Sequence, residues 1–101
     1  MKPFKFFQKN ITNSEGGLIA VFAPTMEYFL NWKREIFRDR IIAERRQNYF
    51  HCDGVGYKYI AHEVDVSECR FTNFHVISEI DNRKQQILNN VVRSLEFNER
   101  L

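Results

Sequence analysis

The apolar run Leu18-Ile19-Ala20-Val21-Phe22-Ala23 constrains this chain more than any other segment. Gly16-Gly17 closes it on one side and Pro24 on the other. The run is too short for a buried helix. It has no polar residue at alternate positions, so neither face is expected to meet water. Its length predicts a strand buried on both faces. Pro24-Thr25 then opens a helix, with the Thr25 hydroxyl able to accept an orphaned amide hydrogen.

That first helix is expected to begin near Met26. Met26, Leu30, Phe37 and Ile41 fall on one stripe at helical spacing, with Phe29 and Ile36 beside them. The stripe weakens after Ile41, where Glu44, Arg45 and Arg46 suggest a frayed or exposed end. Tyr28 and Trp32 lie four residues apart on the far side of this helix. Either another element, such as Phe4, Phe6 and Phe7, covers them, or they face solvent.

Residues 49–62 read as a hairpin around Asp53-Gly54, a strong two-residue turn signal. The return strand is expected over 57–64, a polar connector over 65–70 and another strand over 71–77. In the last helix, Ile80, Ile87, Leu88, Val91, Val92 and Leu95 form a stripe with polar residues opposite. Ser78 with Asp81 has the outline of its capping box. These elements predict an α+β fold, a small mixed sheet of three to five strands with two amphipathic helices in the order β-α-β-β-β-α. A buried first strand followed by a helix further suggests a right-handed β-α-β unit. The 101 residues are one domain's worth, and 44% hydrophobic content supports one core. Residues 1–7 mix Lys and Phe and read as an edge strand or a tail, and 8–17 read as a polar loop ending at Gly16-Gly17, so a loose arm over 1–17 is one expectation.

The segment from Gly56 to Leu95 combines a tyrosine-bearing strand, the run Cys69-Arg70-Phe71-Thr72-Asn73-Phe74-His75-Val76-Ile77 and a terminal amphipathic helix. In this it resembles small bacteriophage-encoded accessory proteins of degenerate nucleotide-binding topology. The phosphate-binding loop of their ancestral fold is absent here. The resemblance implies a phage protein of the host-cell cytoplasm, in a lineage that includes inhibitors of host defence.

Few reacting groups present a recognisable pattern. His51, Cys52, Asp53, His62, Asp65, Cys69 and His75 lie within 25 residues, but without the close ligand pair usual for zinc. Adjacent His51 and Cys52 on a strand would point to opposite faces. Buried thiols and surface imidazoles are the plain alternative, so neither metal nor cofactor is expected. Neither cysteine has the surroundings of an activated nucleophile, and two cysteines without a secretory signal suggest free thiols in a reducing cytoplasm. No stretch has the length and apolarity of a membrane span. No enzymatic activity is expected.

Charge is the remaining feature. The net charge of +2 is too small to imply nucleic-acid binding. Residues 33–46 nevertheless hold six basic residues against three acidic ones. The plain reading is a solvated helix laced with ion pairs. The functional reading is a contact surface through Tyr28, Trp32, Arg38, Arg45 and Arg46, since aromatics and arginines are enriched in interfaces. A non-catalytic binding protein is therefore expected, of the kind that occupies a surface on a larger host protein or nucleoprotein. A nucleic-acid-binding module using 33–46 is the alternative, with Trp32 or Tyr49 stacking on bases. Homodimerisation is also left open.

Overall fold

The computed structural model describes residues 17–100, with side chains through Leu95. Except for Gly17, the expected N-terminal arm lies outside the described residues. So do Phe4, Phe6 and Phe7, considered as cover for the first helix. The elements in chain order are β1 (Leu18–Phe22), α1 (Met26–Ile36), β2 (Ile42–Arg46), β3 (Tyr49–Cys52), β4 (Val55–Tyr59), α2 (Glu63–Ser67), β5 (Asn73–Val76) and α3 (Asn82–Arg100). The fold is α+β, as expected. The five strands form one mixed sheet in the order β2-β3-β4-β1-β5.

The apolar run takes the position its composition demands. β1 lies inside the sheet, paired in parallel with β4 on one side and β5 on the other. Ala20, Val21 and Phe22 have no solvent exposure. Its alternating side chains seed two cores. On the front face, Ile19 and Val21 pack with Phe29, Trp32, Phe37, Phe50 and Tyr59. On the back face, Ala20 and Phe22 pack with Phe71, Phe74, Ile87, Leu88, Val91 and Leu95. α1 therefore covers the front, and α3 covers the back.

The expected stripe of α1 is corrected. Phe29 and Trp32, three residues apart, are its buried residues. Trp32 is 3% exposed, whereas Ile41 is 94% exposed and lies beyond the helix. The helix ends earlier because Phe37 caps it, its N–H donating to Lys33 O. Burying the largest rings removes the most apolar area from water, which favours this rotation over one burying Met26 and Leu30. The front of the sheet supplies matching rings. Phe29 stacks on Tyr59 at 5.4 Å between centroids, and Trp32 meets Phe37 edge-on at 5.4 Å. Tyr28 is half-buried and packs against the same core. Thr25 caps the helix as expected, its Oγ1 accepting from Tyr28 N at 3.1 Å.

Two elements depart from the expected order. Residues 42–46 form strand β2 rather than the end of a helix. They pair antiparallel with β3 and supply partners for backbone groups that a lone hairpin would leave unpaired. The second departure lies beyond β4, which stops at Tyr59. There α2 forms because the Asp65 carboxylate accepts from Ala61 N and His62 N, both at 2.9 Å, and holds the entering turn. The Asp53-Gly54 hairpin is as expected: both residues have positive φ, 54° and 79°, the requirement of a type I′ turn. α3 is capped by Asp81 alone, its Oδ1 accepting from Lys84 N at 2.9 Å.

Lys84 also joins the layers. Its ammonium is buried and donates to Ala23 O, Pro24 O and Tyr59 Oη at 2.9, 2.8 and 2.6 Å. Three acceptors match its three protons, so the charge is buried with full hydrogen bonding. Among the described residues no helix is long and apolar enough to cross a membrane.

Candidate functional site

Among the described residues, the two faces of the β2–β3 ribbon differ. On its front, Ile42, Phe50 and Cys52 join the core under α1. Among the described residues, its back contributes none to the core under α3, which draws on β1, β5, the segments beside β5 and Ile60 just past β4. What the ribbon presents on that back face decides what it can bind.

Strand register places the side chains. Ala43 pairs with His51, Glu44 with Phe50, and Arg46 with Tyr49. The register shifts between Glu44 and Arg46, so Arg45 is the extra residue of a β-bulge. Phe50 faces front, which puts Glu44 at the front and Tyr49, His51 and Arg46 at the back. Arg45 also turns to the back, where its Nε donates to His51 Nδ1 at 3.2 Å. Strict alternation would have sent Arg45 and Arg46 to opposite faces, and the bulge gathers both on one.

The acidic side chains nearby are drawn elsewhere. Glu44 meets Lys33 of α1 at 2.7 Å on the front. That hydrogen bond and charge hold its carboxyl below the usual carboxylate range. Asp53, at the hairpin tip, is paired with Arg40. The back of the ribbon thus carries Arg45 and Arg46 beside two rings, with the strand's acidic residue on the other side.

These two rings contact each other. The Tyr49 hydroxyl lies 3.0 Å from His51 Nε2, and the two rings meet edge-on at 5.0 Å. Gly56, opposite His51, makes room: a Cβ there would lie 3.0 Å from the imidazole and 2.9 Å from Leu18.

A second feature is a cleft of about 180 Å³ between α3 and the chain entering β5, lined by Val66, Cys69, Arg70, Val91 and Leu95 among others. Lys58 lies near its wall, its Nζ 3.3 Å from Cys69 Sγ, 3.2 Å from Asp65 O and 3.6 Å from Glu68. The ammonium is spent on these neighbours.

The proposed contact residues do not form one surface. Trp32 is in the core, which corrects the expectation that it could face a partner: α1 is rotated to bury it. Tyr28 is half-buried. Arg38 is exposed in the turn after α1, and only Arg45 and Arg46 adjoin one another. A basic helix over 33–46 is likewise corrected, because residues 42–46 are a strand.

The candidate metal ligands are spread apart. His51 and Cys52 face opposite sides, as expected. His75 is buried at the front, with its ring 6.5 Å from Trp32 and 6.2 Å from Tyr57. Burial pushes its pKa down to about 4. Asp65 caps α2. Among the described residues, no group of three or more His, Cys, Asp or Glu is placed to hold a metal ion. Cys52 and Cys69 are free thiols. Tyr49 and His51 were visible in the sequence only as separate candidates for stacking and metal binding. Their pairing with Arg45 depends on register. No protein-family model, curated protein or solved structure matches the chain.

Proposed function

We propose that this is a non-catalytic binding protein that engages an anionic surface of a larger partner through the back of the β2–β3 ribbon. The observation that carries this is the bulge, which puts Arg45 and Arg46 on one face while Glu44 turns to Lys33 on the other. Adjacent guanidinium groups suit carboxylates and phosphates, and their charge is permanent. A ribbon held within a sheet presents them with little ordering cost, which favours binding over a loop of the same composition. A phage-type inhibitor that occupies a host protein or nucleoprotein would use such a face. That source rests on the resemblance of residues 56–95 alone.

Retention of the intact chain on a heparin matrix tests the surface. The Arg45→Glu/Arg46→Glu variant should elute at clearly lower salt than the parent. Charge reversal at Arg34, which lies on exposed α1 and bonds Asn31, should have a smaller effect. Equal elution of parent and ribbon variant would rule the ribbon out.

A further inference from the structure

We propose that Lys58 and Cys69 are a modification site: a hydroperoxide oxidises the thiol, and the lysine nitrogen then closes a covalent Nζ–Sγ cross-link. The site is separate from the ribbon and does not depend on the binding reading above.

Both partners are held in place. Lys58 stands on β4 beside Ala20, a residue of the back core, so its side chain points to the back of the sheet. It is 9% exposed, and its Nζ donates to Asp65 O at 3.2 Å. Asp65 is itself fixed, its carboxylate accepting from Ala61 N and His62 N. From that anchored position Nζ lies 3.3 Å from Cys69 Sγ. A buried nitrogen in this setting has few other places to go.

The sulfur has a second side. Cys69 is half-buried and joins Val66, Phe71, Val91 and Leu95 in the wall of the 180 Å³ cleft. A water molecule occupies about 30 Å³ in the liquid, so a peroxide of little more than that size fits the cleft. The sulfur thus meets a small oxidant on one side and an amine on the other. The second thiol does not compete. Cys52 packs in the front core, whereas Cys69 packs against the back core, so the sheet lies between the two sulfurs.

The chemistry closes in two steps. The sulfur first attacks the O–O bond of hydrogen peroxide, taking one oxygen as Cys69–SOH and releasing the other as water. The sulfur loses two electrons and the peroxide gains them. A sulfenic acid condenses with a neighbouring thiol or nitrogen. Here the ammonium of Lys58 passes one proton to the Glu68 carboxylate at 3.6 Å, which is exposed and hands it to solvent. The freed lone pair of Nζ attacks the sulfur. The N–S bond forms, the S–O bond breaks, and the hydroxyl leaves with a second nitrogen proton as water. No further oxidant is needed. The link ties the connector from α2 to β5 onto β4.

Peptide mapping of the intact chain after treatment with hydrogen peroxide tests this. Cleavage after Glu63, without reductant, separates Lys58 from Cys69 in the sequence. Their two peptides then stay together only through the link. Tandem mass spectrometry should find them joined at Lys58 and Cys69, lighter than their sum by about 2 Da, and dithiothreitol should release them. Lys58→Arg keeps the charge but offers no free amine. In that variant the linked pair should vanish, and Cys69 should continue to the sulfinic acid, about 32 Da heavier. Thermal unfolding establishes that the variant is folded, and Lys58→Met replaces it if it is not. A parent chain whose Cys69 becomes sulfinic acid without any linked pair would overturn the proposal. So would a Cys69 that stays a thiol under peroxide, or a linked pair of undiminished yield in the Lys58 variants.

Discussion

The front and back of the sheet solve the covering problem differently. At the front, one helix of 11 residues suffices because its buried side chains are large rings set against Phe50, Tyr57 and Tyr59. At the back, a longer helix presents Ile87, Leu88, Val91 and Leu95, and its aliphatic stripe packs over β1 and β5. The back of β2 and β3 takes no part in that core, and it is there that charged and hydrogen-bonding groups collect. The rings of α1 reach Phe50 of β3 and Tyr57 and Tyr59 of β4, whereas the α3 stripe meets Phe22, Phe71 and Phe74 and stays over β1 and β5.

The largest expected effect follows from that contrast. Phe29 is fully buried, and Phe29→Ala should cost about 3–5 kcal/mol in denaturant unfolding. Leu88 at the back is 8% exposed, and Leu88→Ala should fall near the lower end of about 2–5 kcal/mol. A larger loss for Leu88→Ala would break the claim that the front rings dominate the core.

Next comes pH. Burial holds the His75 imidazole neutral, with its pKa lowered to about 4. In the unfolded chain it would titrate near the usual 6.5. Between these values the unfolded chain takes up a proton that the folded chain refuses. Stability from this group is therefore complete above pH 6.5, declines as pH falls and is lost below about 4. At about 1.4 kcal/mol per pH unit over this interval, the full loss is about 3–4 kcal/mol. Chemical unfolding from pH 7 to 4 should show this dependence, and His75→Gln should flatten it. An equal slope in the variant would mean that another group controls the front core.

The smallest expected effect is at the back of the ribbon. Arg45 is exposed, and Arg45→Gln should change unfolding free energy by no more than about 0.5 kcal/mol. A cost comparable to the core substitutions would make the Arg45–His51–Tyr49 chain a structural brace, and the difference between the two faces of the ribbon would disappear.

Much of the architecture is legible in local residue choice. An apolar run without alternation has to be buried on both sides, and Leu18–Phe22 is. Asp53-Gly54 can adopt the paired positive φ values of a tight hairpin, so the β3–β4 turn is read from two residues. Leu88 and Val91 share a stripe with no competing apolar face, and both are buried. These signals act through the backbone or through one element's periodicity, which is why sequence alone determines them.

The candidate site needed more than local choice. α1 carries apolar residues around much of its circumference, so periodicity admits more than one rotation. Contact with the rings of Phe50, Tyr57 and Tyr59 selects the rotation that buries Trp32. Residues 42–46 have the charge of a helix end, and pairing with β3 makes them a strand. The bulge at Arg45 is a property of two strands in register, as are the placing of His51 over Gly56 and the meeting of Glu44 with Lys33. Sequence by itself determined where the chain must be dry and where it must turn. Only tertiary structure decided which charged side chains share a face, because that depends on contacts between segments whose alignment no single segment encodes.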